Sequence, residues 1–241
     1  IFADNNSAAA GKLAVALTAS GVAYPDDALK PSDYYSPTSG TYNSHIGFHT
    51  WGILGAMALD DEIAPEAVQY IKDGVLPNGG WEWMKDFGAD TNTTSIAIQA
   101  LLAAGEPVTA TEIVNGLAFL RTAQNTDGGF TYDPASQFGT DSDANSTAYV
   151  MQALWASCQD PIGVGWTNGG RTPLEFLRSA QLSDGSVEWI PGTGANLLST
   201  QQFVPALLGS AYPMNGSGPA CPDRLPPAKT FLPQIVRASA E

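Results

Sequence analysis

Three short stretches repeat one idea along this chain: Asn78-Gly-Gly-Trp-Glu-Trp83, Asp127-Gly-Gly-Phe-Thr-Tyr132 and Asp184-Gly-Ser-Val-Glu-Trp189. Each precedes a small-polar stretch and then an Ala/Leu-rich segment ending near an Ala-Leu pair, Ala100-Leu101, Ala153-Leu154 and Ala206-Leu207. The pairs recur at intervals of 53 residues. A period of this length marks a supersecondary unit copied along the chain, one that buries its apolar face only when a neighbour stacks on it.

Between the marks the sequence predicts helices. Pro65-Glu66 opens one, with Val68, Ile71 and Val75 at helical spacing and Gly74 near its end. Thr109-x-x-Glu112 and Thr172-Pro-Leu-Glu175 read as capping boxes for two more. These three are amphipathic, whereas residues 95–105, 147–156 and 197–208 are apolar nearly all round, as inner helices covered on both sides would be. An earlier pair, roughly 7–20 and 44–60, fits the scheme without a glycine stretch. The expectation is an all-α fold: an α/α toroid or partial toroid of about four helical hairpins over residues 1–211. An irregular Pro/Gly-rich tail, 212–241, follows, with a docking strand at Lys229–Arg237 that packs on its own domain, on another copy or on the cell surface.

Charge and cysteine content narrow the function classes. Ten basic residues against twenty-four acids give a net charge of -14, so the chain has no basic stripe for nucleic acid and little attraction to anionic membranes. No apolar run approaches the ~20 residues of a membrane span. Only 14% of residues are charged, which with a lack of a leader sequence reads as a mature secreted or cell-surface chain. Cys158 and Cys221 end equivalent helices of adjacent repeats, so they form either one disulfide or two buried thiols.

Gln124-x-x-Asp-Gly-Gly-Phe130 and Gln181-x-x-Asp-Gly-x-x-x-Trp189 resemble the QW-type repeat of the terpenoid cyclase and protein prenyltransferase superfamily, over roughly residues 65–210. The resemblance implies the α/α toroid. Class II cyclases carry Asp-x-Asp-Asp-Thr at a comparable repeat position, the middle Asp being the acid that protonates the substrate. Here the matching positions are Asn92 and Asn145, and an amide cannot supply that proton. Neither cysteine lies in the zinc-binding context of a prenyltransferase, and the Cys-Gly-Glu-Gln thioester sequence is missing. In the motif itself the Gln is expected to bond backbone at the outer helix end and the glycines to reverse the chain. The aromatics Trp81, Trp83, Phe130, Tyr132 and Trp189 are expected to plug the gap between hairpins.

The candidate chemistry lies before the inner helices. Asp90-Thr-Asn-Thr-Thr94, Asp143-Ala-Asn-Ser-Thr147 and Asn196-Leu-Leu-Ser-Thr200 align across the repeats. They read either as helix caps or as one end of a cavity where N–H groups meet an oxygen-rich ligand. His45 and His49, four apart, fall on one helix face near Tyr42 and Asn43. They are structural or pocket-lining residues, a His–Tyr–Asn acid/base set converging with Asp90 and Asp143, or two ligands of a zinc site lacking a third. Tyr42, Asn43, Asn92, Asn145 and Asn196 are the expected ligand contacts; no metal or cofactor is expected. Four Asn-x-Ser/Thr sequons are present. The reading favoured is a non-catalytic extracellular binding or scaffold module for a small apolar or glycan ligand. A self-associating subunit and an enzyme, either a cyclase or a polysaccharide lyase, are the alternatives.

Overall fold

The computed structural model describes residues 2–214 and Cys221; the expected docking strand lies outside the described residues. These divide into two compact units, one running to Phe119 and taking in Tyr212, the other spanning Leu120–Ala211 and taking in Cys221. Eight α-helices and one two-residue strand pair make the described chain all-α.

In the first unit, α1 (Ser7–Ala19) and α2 (Ile46–Ala58) are followed by α3 (Pro65–Asp73), α4 (Thr91–Ala103) and α5 (Thr111–Thr122), which carries the unit boundary. Pro65 starts α3 and Gly74 caps it, as expected, and only Ala67 and Ile71 of that helix are buried. α2 and α4, by contrast, bury nearly every residue. Two expectations fail here. α1 and α2 do not form a hairpin: Ser7 Oγ donates to the Phe48 carbonyl and Thr18 Oγ1 to the Ala58 carbonyl, 41 and 40 residues away. A constant offset means parallel helices, so α1 is itself an inner helix, capped by Asn6 on the Ala9 N–H. Glycines permit the close crossing: a Cβ on Gly11 would lie 1.9 Å from the Trp51 carbonyl oxygen, and one on Gly55 2.2 Å from the Gly11 Cα. The second correction is at α5, where a turn from the Pro107 carbonyl to the Ala110 N–H pulls Thr109 out of the capping position. Ala110 accepts the first helical bond, from Val114.

In the second unit, α6 (Ala144–Ala156), α7 (Pro173–Ser179) and α8 (Leu197–Leu207) surround Met151, Leu174, Phe176, Leu177, Val187 and Phe203. The Thr172–Glu175 capping box is formed. α6 and α8 run parallel, joined by Gln202 Nε2 donating to the Tyr149 hydroxyl and Trp155 Nε1 donating to the Ala206 carbonyl. α8 is not covered on both sides as expected: Leu197, Leu198, Val204 and Leu208 are exposed, because among the described residues no further helix stacks there. Cys158 and Cys221 form a disulfide.

The repeated stretch folds the same way each time. Gly79, Gly128 and Gly185 have φ of +89°, +86° and +87°, a region that favours glycine. The side chain one residue earlier, Asn78, Asp127 or Asp184, accepts the N–H two positions on. Two residues after the glycine comes the buried plug, Trp81, Phe130 or Val187, each fully inaccessible. Its N–H donates to a threonine hydroxyl one turn into the inner helix, Thr94, Thr147 or Thr200, at 2.9–3.0 Å. The plug is therefore Val187 in the third copy, not Trp189, which stays 46% exposed, as does Tyr132 at 47%. Gln124 and Gln181 also bond differently from the expectation: their Nε2 donates to the turn carbonyls of Gly128 and Gly185, and Gln124 also reaches the Trp166 carbonyl.

A fourth copy, unrecognised in the sequence, precedes α2. Gly40 has φ of +69°, Tyr42 is buried, and the Tyr42 N–H donates to His49 Nδ1 at 3.0 Å. His49 thus stands where the other copies have threonine.

Candidate functional site

The small-polar runs before α4, α6 and α8 are caps. Asp90 accepts the Thr93 N–H on one oxygen and the Thr93 hydroxyl on the other, at 2.7 and 2.8 Å. Asp143 does the same with Ser146, whereas Asn196 accepts both the Ser199 N–H and the Ser199 hydroxyl on its single Oδ1. Both carboxylates are buried, at 2% and 4% exposure. They are held there because each cap residue pairs across from its plug, Asp90 with Trp81 and Asp143 with Phe130. Burial raises the Asp143 carboxyl above its ordinary range, against hydrogen bonds from Ser146, the Trp189 side chain and the Asn145 N–H, which favour the anion.

Asn92 and Asn145, in the first turns of α4 and α6, carry buried amide oxygens with no hydrogen-bond partner. Gln152 Oε1 is a third such atom. Its repeat counterpart, Gln99, accepts the Tyr212 N–H at 2.8 Å, a role the sequence hides because Tyr212 is remote along the chain.

His49 is inaccessible to solvent. Because Nδ1 accepts the Tyr42 N–H, the proton sits on Nε2, which donates to the Ala67 carbonyl at 2.8 Å. Burial pushes its pKa down to about 4, so it is neutral at pH 7. Burial likewise pushes the Tyr42 phenol up to about 12. His45 caps α2 without a side-chain cap bond; its ring lies 6.0 Å from Phe48, and its N–H donates to Asn43 Oδ1. The structure therefore engages both nitrogens of His49 inside the core. Among the described residues no group of three His, Cys, Asp or Glu side chains is placed to hold a metal.

An aromatic cluster that sequence reasoning missed lies in the first unit. The Lys12 ammonium stands 5.2 Å from the Trp51 ring and 5.7 Å from the Trp83 ring. Phe48 packs against Trp83 at 5.0 Å, and Tyr212 against Trp51 at 4.9 Å. Trp83 is fixed from behind: its carbonyl accepts the Gly47 N–H, and its ring presses on Gly47, where a Cβ would lie 2.0 Å away.

No protein-family model and no curated protein matches this chain. Among solved structures it is similar to a variant of the type II terpene cyclase MstE from Scytonema in complex with merosterolic acid A as product. The TM-score is 0.53 at 15% identity, over 83% of this chain and 60% of that one. The apo enzyme matches at a TM-score of 0.48 and 18% identity, over 84% and 58% of the two chains. At such identities the likeness is one of fold: this chain is an all-α, toroid-type cyclase-like fold spanning about three-fifths of that enzyme's length.

Proposed function

We propose that this chain is a non-catalytic, secreted or cell-surface binding module built on the cyclase-type toroid. The observation that carries the reading is the fate of the acids. Asp90 and Asp143 offer both oxygens to their own helix N-termini, and asparagine stands at positions 92 and 145, where the resemblance puts the proton donor. The unpartnered amide oxygens of Asn92 and Asn145 suit an occupant bearing hydroxyl or N–H groups. His49, neutral and engaged at both nitrogens, lends no support to a lyase-type base. The Cys158–Cys221 disulfide favours an oxidising compartment. Native mass spectrometry after incubation with mixed polyprenes and oligosaccharides tests the reading. The expected result is a bound compound recovered at unchanged mass. A chemically altered product, or no bound species from either class, overturns it.

The exposed apolar stripe of α8 favours a second reading, self-association, in which the tail of one copy (Phe231, Leu232, Ile235 and Val236) covers α8 of another. Truncation at Cys221 followed by light scattering decides it: unchanged mass in solution removes this reading.

A further inference from the structure

Lys12 is unlike the other cations whose contacts are described. Lys72 pairs with Glu106 at 2.9 Å, and Arg121 stacks on Trp166 while donating to the Gly165 carbonyl. Among the described residues Lys12 has no carboxylate within ion-pair distance, in a chain with more than twice as many acids as bases. Its contacts are aromatic: Trp51 and Trp83 flank the ammonium, and Phe48 and then His45 extend the aromatic strip from Trp83. The side chain keeps solvent access, yet desolvation by its surroundings lowers its pKa, with no neighbouring acid opposing the shift. Ring faces attract the ammonium but accept no conventional hydrogen bond from it, so its N–H donors remain free for an oxygen acceptor.

We infer that this aromatic surface around Lys12 binds an organic anion with a flat, apolar body, its acid group paired with Lys12 and its body laid against Trp83 and Phe48. The inference rests on the binding-module reading and names the ligand class for a site in the first unit. Three features favour such a ligand over a neutral one. The unpaired ammonium gains a charge-assisted partner. The aromatic strip offers stacking area with little side-chain freedom to lose, since Trp83 is pinned on Gly47. Among the described residues no acid forms an ion pair with Lys12, so a bound anion displaces none.

The test compares 1-naphthoate with neutral 1-naphthalenemethanol by quenching of tryptophan fluorescence, on the full chain and on Lys12→Met and Lys12→Arg. Lys12→Met keeps the apolar stem and so separates loss of charge from loss of packing. The expected result is tighter binding of the naphthoate by about tenfold, a preference erased in Lys12→Met and retained in Lys12→Arg. Equal binding of acid and alcohol, or naphthoate binding undiminished in Lys12→Met, overturns the anion assignment while leaving a binding module in place. Failure of both probes to bind, with the variants folded by circular dichroism, overturns this site altogether; the oligosaccharide arm of the mass-spectrometric test then decides the wider reading.

Discussion

His49 performs in the first repeat what Thr94, Thr147 and Thr200 perform in the others: it accepts the plug residue's N–H. The imidazole adds a second bond, to Ala67, and a pH dependence that threonine lacks. Its folded pKa of about 4 lies below the ordinary 6.5, so the unfolded chain binds the proton more readily. The stability it contributes is full above pH 6.5 and is lost as pH falls toward about 4, some 3 kcal/mol in all at roughly 1.4 kcal/mol per pH unit. His49→Thr is predicted to lower stability at pH 7, because the Ala67 carbonyl loses its donor. It is also predicted to flatten the acid limb of a urea-denaturation series between pH 6.5 and 4. An unchanged acid limb would show that His49 is not neutral in the core. A pair of glutamines separates a satisfied acceptor from an orphan. Gln99→Met removes the acceptor of the Tyr212 N–H and should cost about 1–3 kcal/mol, whereas Gln152→Met removes a buried unpaired oxygen and should be neutral or slightly stabilising in thermal melts.

At the scale of elements, the glycine turn sets the spacing between successive units as well as reversing the chain. A Cβ on Gly40 would lie 2.9 Å from Glu66 Cβ in α3, on Gly79 2.6 Å from the Asn115 backbone oxygen in α5, and on Gly128 2.5 Å from the backbone oxygen of Thr172, the residue that caps α7. Each turn abuts the next outer helix. Gly185 meets nothing within 4 Å. Gly185→Ala is therefore predicted to cost only the positive-φ strain, about 1–2 kcal/mol, and Gly128→Ala at least about 2 kcal/mol more. Equal losses in chemical denaturation would refute the spacing role. The three glycine stretches and their helices were legible because 53-residue spacing survives in Thr94, Thr147 and Thr200 as well as in the Ala-Leu pairs. The copy at Gly40 was hidden because histidine replaces threonine and the connection before it holds only a short 3-10 turn, Pro31–Tyr34, instead of an outer helix. Parallel packing of α1 on α2 was equally hidden: burial by Gly11 and Gly55 leaves no periodic signature that a hairpin would not share. The caps were legible as residue types, but whether Asp90 serves a helix or a ligand depends on hydrogen bonds that no sequence prints.

At the scale of the whole molecule, the described chain has a cyclase-like all-α fold in which Asp90 and Asp143 cap helices. The Cys158–Cys221 link closes a 63-residue separation, worth about 4 kcal/mol if it acts by restricting the unfolded chain. Replacing both cysteines with alanine should lower the melting temperature by several degrees and leave far-ultraviolet circular dichroism unchanged at 20 °C; an unshifted melt would show that the link adds no stability. The proposed non-catalytic reading rests on Asp90 and Asp143 acting as caps and on the amides at positions 92 and 145, and it predicts that none of these side chains protonates a substrate. The direct measurement is product analysis by gas chromatography and mass spectrometry after prolonged incubation with squalene, oxidosqualene and linear polyprene diphosphates. Recovery of the linear compounds alone is the predicted result. A cyclised product that disappears in Asp90→Asn or Asp143→Asn, variants that preserve the caps, would contradict it.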